Sequence, residues 1–478
     1  MTEHPAAWLI RGARLQGGDP ADLLISGGMI TETGPAAATA AGRGVQLLDA
    51  AGLVALPGLV DLHTHLREPG REDAETVTTG TAAAALGGFT AVHAMANTDP
   101  VADMAGVVEQ IWRLGRQAGY CDVQPVGAVT ADLAGARLAE LGAMADSAAR
   151  VRIFSDDGRC VADAVLMRRA LEYVKAFDGV IAQHAQEPRL TDGAQVNEGL
   201  MSGQLGLPGW PAVAEEAIIA RDCLLAAHVG SALHVCHVST AGSVELIRWA
   251  KAKGWRVTAE VTPHHLLLTE DLTAGYDPVF KVNPPLRTAA DVAALRAGLA
   301  DGTIDCVATD HAPHPPEDKE TEWTAAASGM TGLETALRVV HAAMVETGLL
   351  SWAQVADRMS ARPAAIGRLD GRGTQPAGAR HGEHPGGPLS SGPPGRLQPG
   401  GLQPGGFQPG APRHGAPLAA GSPANLVLYD PSARAVVDPG AHASRSRNSP
   451  FAGRVLPGRV IATFLRGAAT VLDGKLAW

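Results

Sequence analysis

The chain has 478 residues, enough for one large domain with an accessory unit, and 46% of them are hydrophobic, so a sizeable core can be buried. Aromatic residues make up only 4%, which leaves Ala, Val and Leu as the main apolar mass and suits tightly packed parallel strands and helices. A net charge of −10 with no basic stripe excludes a nucleic-acid binder.

Met1 to Leu15 has no apolar run behind a basic start, and no stretch of about 18 uninterrupted apolar residues occurs anywhere, so no membrane segment is expected. Five cysteines, Cys121, Cys160, Cys223, Cys236 and Cys306, are dispersed without a CxxC pair. That pattern fits reduced thiols and a cytoplasmic location.

Trp8 to Leu56 carries short alternating runs such as Leu23 to Ile30, broken by Gly and Pro, which predicts β structure. Between Val54 and His314 the texture changes. Short apolar runs end near Asp61, Ala96, Val129, Ser155, Gln183, His237, Val261 and Thr309. Helical stretches lie between them, including Ala74 to Leu86, Val161 to Ala176, Val213 to Ala227 and Ala241 to Lys253. Eight strands alternating with helices over about 260 residues predict a closed (β/α)8 barrel rather than an open doubly wound sheet. From Gly371 to Gly421 about half the residues are Gly or Pro, with a tandem repeat beginning at Leu397, Leu402 and Phe407. Such a composition cannot bury enough apolar area to order itself, so a disordered insertion is expected there. Ala424 to Trp478 returns to the texture of the first flank. The expected architecture is α/β: a TIM-type barrel over 57–370, a small β-sandwich domain from both chain ends, 1–56 plus 422–478, and an insertion over 371–421.

Chemistry concentrates at the strand ends. In Asp61-Leu-His63-Thr-His65 the two histidines share a strand face, as two imidazoles on one metal must. Ser155-Asp156-Asp157-Gly158, His184, His237 and Thr309-Asp310-His311 follow at the ends of later strands. A closed barrel brings such ends to one mouth. Four histidines and two aspartates are too many for one tetrahedral zinc and fit a two-metal site. His93, His228 and His234 are read as structural. His234 and His237, three residues apart, would face opposite sides of one strand. His264 and His265 are read as supporting residues at the mouth.

Asp61-Leu-His-Thr-His-Leu-Arg-Glu-Pro-Gly70 resembles the signature of the amidohydrolase superfamily in the form found in dihydroorotases. Further segments agree in order and spacing: Ser155–Gly158, Cys236–Thr240, Lys281–Arg287, Ala308–His314, Gly332–Thr335 and Arg447–Gly453. The resemblance implies a barrel with a β domain from both termini and two Zn2+ per chain. It implies that His63, His65 and Asp310 hold one zinc, that His184 and His237 hold the other, and that Asp157 bridges them, with Asp156 as the alternative bridge. It assigns substrate contacts to His65, Arg67, Asn97, Asn283 and His314, and to the loop carrying Ser328 and Gly329. In place of the aromatic-glycine pair common in the family the chain has Ser328-Gly329, so contacts of that loop would run through its backbone. After His184 stands Ala-Gln-Glu187, where the family often has Cys-Glu-Asp.

Hydantoinases, allantoinases and some dihydroorotases bridge their metals with a carboxylated lysine. No lysine precedes Lys175 here, which points to an aspartate-bridged dihydroorotase rather than a hydantoinase or allantoinase. A catalytically dead scaffold for aspartate transcarbamoylase would have lost metal-site histidines, and the full set is present. The implied reaction is the reversible cyclisation of N-carbamoyl-L-aspartate to L-dihydroorotate and water, in de novo pyrimidine synthesis. Asp310 would act as base and then acid, and Arg67 would grip the substrate carboxylate through a bidentate pair. A homodimer and an association with aspartate transcarbamoylase are left open.

Overall fold

The computed structural model of the protein describes residues 7–42, 44–371 and 413–478. Eight of its strands are the staves of a barrel: β1 (Leu59–Thr64), β2 (Phe89–Ala94), β3 (Asp122–Pro125), β4 (Ile153–Phe154), β5 (Val180–Gln183), β6 (Ala232–Val235), β7 (Val257–Val261) and β8 (Cys306–Val307). Two parallel groups form, β1-β2-β3 and β4-β5-β6-β7-β8. The parallel bridges Gly127–Phe154 and Thr64–His311 join the groups on both sides and close the ring. Every residue of β1 and β2 is buried, because helices cover one face and the barrel interior covers the other.

Helices Val77–Leu86, Ala105–Ala118, Ala164–Val174, Val213–Val229, Ala241–Ala252 and Ala289–Asp301 lie between the staves. Local chemistry starts them where expected. Thr240, just past the end of β6, accepts the Ser243 N–H and opens the helix within a few residues of His237. Stave β3 ends at Pro125 rather than near Val129. The Val129 and Thr130 N–H groups are instead bonded to Asp156 Oδ1, at 2.8 and 2.9 Å, so that stretch leaves the ladder.

Both chain ends build one nine-stranded sheet. Its seam is the antiparallel pairing of Val54–Pro57 with Leu426–Tyr429. Trp8 and Phe464 lie on strands three apart in the sheet order, yet their rings are 5.4 Å from each other. Neighbouring strands are ~4.8 Å apart, so the sheet curls over a core of its own containing Ile10, Leu23, Ile25, Leu426 and Leu428. Val427 and Tyr429, of opposite parity to Leu426 and Leu428, turn the other way and join the barrel core.

Most of the expected insertion, 372–412 with its tandem repeat, lies outside the described residues. Residues 413–421 correct the expected boundary, because they are packed. His414 is 1% exposed, with Nε2 2.9 Å from Asp122 Oδ2 and Nδ1 3.1 Å from Thr90 Oγ1. Gly421 N–H donates to Ile30 O at 2.8 Å, and Leu418 joins the core of the β domain. Composition alone hides this, since the Gly and Pro content continues through a segment anchored by one imidazole. His414→Ala leaves a buried hydroxyl short of a partner and removes a contact to a carboxylate, a loss of ~1–3 kcal/mol. The expected outcome is a Tm lowered by several degrees with metal content unchanged, measured by thermal unfolding and elemental analysis. An unchanged Tm would put 413–421 outside the cooperative fold.

Candidate active site

At the carboxyl ends of the staves six side chains converge. His63 sits on β1, His65 just past it, Asp157 past β4, His184 past β5, His237 past β6 and Asp310 past β8; all are buried. Asp157 is the hub. Its Oδ1 lies 3.3 Å from His63 Nε2, 3.3 Å from His184 Nδ1 and 3.2 Å from His237 Nε2, and its Oδ2 lies 3.4 Å from His65 Nε2. Asp310 Oδ1 lies 3.1 Å from His65 Nε2 and 3.5 Å from His63 Nε2. The ligand atoms form two groups that share Asp157: His63 with His65, and His184 with His237.

The outer ring nitrogens decide what the inner ones present. His63 Nδ1 is 2.7 Å from Glu260 Oε1, His65 Nδ1 is 2.9 Å from Asn97 Oδ1 and His184 Nε2 is 2.7 Å from Gln186 Oε1. In the tautomer in which each outer nitrogen donates its hydrogen to that oxygen, the form that binds a metal, the inner nitrogen faces Asp157 with a lone pair; His184 Nδ1 also lies 2.8 Å from His237 Nε2. His63 Nε2 is buried with no hydrogen-bond partner among the described residues. Lone pairs facing carboxylate oxygens repel unless a proton or a metal ion lies between them. The donor set, imidazoles around a shared carboxylate, fits two divalent metal ions.

The charges agree. Burial favours a neutral Asp157, but His63, His184 and His237 hold its carboxyl well below the ordinary range. Burial likewise disfavours charge on His63, while Asp157 and Asp310 pull it well above the ordinary imidazole range. The centre is thus a negative field that attracts cations. The neighbouring Asp156 is different: burial raises its carboxyl, and its oxygens accept from Val129 N, Thr130 N and the Thr130 hydroxyl. It ties two loops together and does not join the cluster.

Three of these positions carry left-handed backbone without being glycine: Arg67 at φ 62°, His237 at φ 30° and Asp310 at φ 46°. Each follows a strand end. The turn at His237 cancels the strand alternation, so His234 and His237 do not point to opposite sides. His234 Nε2 lies 2.9 Å from Glu260 Oε2, and the His237 N–H donates to Glu260 Oε1 at 3.4 Å.

Glu260 was not singled out from the sequence. It lies on β7, is 1% exposed, and its carboxyl is held at about 2: burial raises it, but hydrogen bonds from His234 and His63 outweigh that. The signal was available, since Val257-Thr-Ala-Glu-Val261 puts a carboxylate in a strand buried on both faces, where only a firm partner makes it tolerable. Gln186 is the second such residue. It accepts from His184, donates to Thr191 Oγ1 at 2.7 Å, and accepts from Asn283 Nδ2 at 3.1 Å.

The expected substrate contacts line the same mouth. Arg67 has no carboxylate within ion-pair distance among the described residues; Glu68 accepts from Val77 N and Glu72 from Gly70 N instead. Its Nε donates to Pro313 O at 3.1 Å, and its Nη2 lies 3.4 Å from His314 Nε2. Burial lowers the guanidinium to about 10, so it stays charged at neutral pH. His314 is held down at about 3 by burial and by Arg67. Its Nε2 is also 2.9 Å from Ser328 O. Asn283 Oδ1 is buried without a hydrogen-bond partner among the described residues.

Gly329 is used differently from the expectation. Its N–H donates to Lys281 O at 3.0 Å, and its carbonyl accepts from Lys319 Nζ and Asn448 Nδ2, both at 3.1 Å. The backbone is therefore committed within the protein. What Gly329 gives is space: at φ 146° a Cβ would stand 2.7 Å from His314 Nε2. Of the other histidines, His264 lies near enough to the cluster to sense the charges of Asp310, His237 and His63. His93 Nδ1 contacts Asp61 O, His228 is exposed, and His265 is bonded to Thr262. His264 Nε2 is buried and has no hydrogen-bond partner among the described residues.

Comparison with known proteins agrees with this geometry. Residues 52–243 match the family described as Dihydro-orotase-like. The chain is 62% identical over 468 residues to the dihydroorotase of Streptomyces coelicolor, covering 98% of this chain and 99% of that protein. It is 52% identical over 469 residues to the dihydroorotase of Mycobacterium tuberculosis, covering 98% and 99%. Among solved structures, the L-hydantoinase (dihydropyrimidinase) from Arthrobacter aurescens superposes with a TM-score of 0.79 at 25% identity, covering 98% of this chain and 97% of that one. With its barrel, its β domain and near full-length identity to these relatives, the chain belongs to the dihydroorotase family of the amidohydrolase superfamily.

Proposed function

We propose that the protein interconverts N-carbamoyl-L-aspartate with L-dihydroorotate and water, a step of pyrimidine biosynthesis, at the cluster around Asp157. One observation carries this reading: imidazoles converge on a shared carboxylate beside a half-buried arginine that has no carboxylate within ion-pair distance among the described residues. The substrate is an anion with a hydrolysable ring amide, and such a site suits both features.

In this reading His63, His65 and Asp310 would hold one zinc ion and His184 and His237 a second, with Asp157 as the carboxylate available to both. Bound there, the ions would supply a Lewis acid for the amide carbonyl and a water acidic enough to attack it at neutral pH. The protein's own groups do the rest. In the hydrolytic direction Asp310 accepts the proton of the attacking water as the new C–O bond forms. It then delivers that proton to the ring nitrogen as the C–N bond breaks. In the biosynthetic direction the same transfers run backward. Arg67 takes the substrate carboxylate, which gives the half-buried guanidinium an anionic partner. Asn283 Oδ1 offers an acceptor for a ring N–H, and His65, Asn97 and His314 close the pocket. All the donors come from one chain, so a homodimer or a transcarbamoylase partner would add no ligand. The five cysteines are free thiols, which suits a cytoplasmic setting.

Asp157→Ala is expected to lose bound metal, whereas Asp156→Ala keeps metal but unfolds at lower temperature, because three donors lose their acceptor. Metal per chain and Tm on the same samples decide between the neighbours; metal loss in the Asp156 variant would move the bridge there. Asp310→Asn cannot accept a proton, so kcat should fall by ~10²–10⁴-fold. Metal content must be read on the same sample, and wild-type kcat in a loaded variant would remove Asp310 from proton transfer. Arg67→Lys keeps the charge but loses the fork, so KM for L-dihydroorotate should rise with metal retained. An unchanged KM would mean that the carboxylate is held elsewhere.

A further inference from the structure

The segment 444–449 reaches back from the β domain over the barrel mouth, and its buried face is polar. Ser444, Ser446, Asn448 and Ser449 are 1%, 2%, 6% and 1% exposed, while Arg445 and Arg447 point outward. A buried polar row outside any helix or strand must find partners elsewhere. Ser444 Oγ donates to Glu75 Oε2 at 2.5 Å, and Ser446 Oγ donates to Ala74 O at 2.7 Å. Glu75 and Ala74 lie in the stretch between Arg67 and the helix Val77–Leu86.

Asn448 makes the densest set of bonds. Its Oδ1 accepts from His314 N at 3.2 Å, and its Nδ2 donates to Ala312 O at 3.0 Å and Gly329 O at 3.1 Å. Its own carbonyl accepts from Thr331 N at 3.1 Å. One amide thus pins the loop after β8, which carries His314, to the loop of Ser328 and Gly329, whose Ser328 O lies 2.9 Å from His314 Nε2. The link to Arg67 is shorter still. His314 N and Pro313 O belong to one peptide group, and Pro313 O is the acceptor of Arg67 Nε. Asn448 Oδ1 and Arg67 Nε therefore grip opposite sides of a single peptide plane, an arrangement in which each hydrogen bond polarises the other.

We infer that Asn448 is a positioning residue for substrate binding: it sets the peptide plane that aims Arg67 and the wall that holds His314, without touching substrate itself. Both of its amide hydrogens are taken by protein carbonyls and its Oδ1 is turned to the His314 N–H, and the side chain is buried, so it acts through its protein partners. The inference rests on the proposed roles of Arg67 and His314, and those are tested separately by Arg67→Lys.

The experiment is steady-state kinetics of Asn448→Ala with L-dihydroorotate, alongside metal content and Arg67→Lys under the same conditions. The expected result is a KM raised by ~10-fold with kcat changed less than ~3-fold and metal retained. A residue that merely supports the fold would lower the active fraction, and so kcat, while leaving KM in place. Unchanged KM in a folded, loaded Asn448→Ala overturns the inference, as does a loss of metal with KM unchanged. Should Asn448→Ala fail to fold, Asn448→Asp replaces it. That variant sets a carboxylate oxygen against the carbonyls of Ala312 and Gly329, so the same rise in KM is expected, and an unchanged KM again overturns the inference. If Arg67→Lys leaves KM unchanged while the Asn448 variant raises it, the assignment of Arg67 fails and the positioning role of Asn448 stands on His314.

Discussion

Three hydrogen bonds made behind the site decide what the site is. Glu260, Asn97 and Gln186 each take the hydrogen of an outer imidazole nitrogen, and the inner nitrogens of His63, His65 and His184 are left as lone pairs around Asp157. Without those acceptors the rings could turn N–H groups inward and satisfy Asp157 by ordinary hydrogen bonding. With them, the neutral rings face the centre with lone pairs, the form in which imidazoles bind a metal ion. The left-handed backbone at Arg67, His237 and Asp310 belongs to the same constraint. Each such residue costs ~1–3 kcal/mol and persists because the surrounding bonds over-determine it. The chain accepts that cost where it delivers a side chain just past a strand end into the mouth.

Much of this was legible in the sequence because it follows periodicity. The spacing of His63 and His65, the succession of strand ends and the placement of a β domain on both flanks all depend on regular geometry. What was not legible depends on departures from it. His237 escapes the alternation that would have sent it away from His234, through one positive φ. Asp156 and Asp157 are indistinguishable as letters; the structure separates them because Asp156 is spent on two backbone N–H groups and the Thr130 hydroxyl. Residues 413–421 have the composition of a disordered tract, yet a buried His414 with two partners holds them. Asn448 lies more than a hundred residues from the loops it bonds, and no local pattern announces that.

The barrel alone does not choose the substrate. The hydantoinase structure shares the fold with a TM-score of 0.79 at 25% identity, so specificity must come from side chains at the mouth. Arg67 is where we place it. This residue is half-buried with no carboxylate within ion-pair distance among the described residues, and a ligand that brings its own carboxylate would give the guanidinium a bidentate partner. A cyclic amide lacking that group leaves the fork unpaired, and sites built to bond a polar group reject analogues that lack it far more strongly than apolar pockets reject a missing methylene. Catalysis and selection then fall to different parts of one mouth. In the proposed reading the ligand cluster around Asp157 would handle the amide, and the plane running from Asn448 through the Pro313–His314 peptide to Arg67 would decide which ring is held against it. Because that plane is bonded to the returning segment 444–449, the proposal gives the β domain a part in substrate choice without a single ligand at the centre.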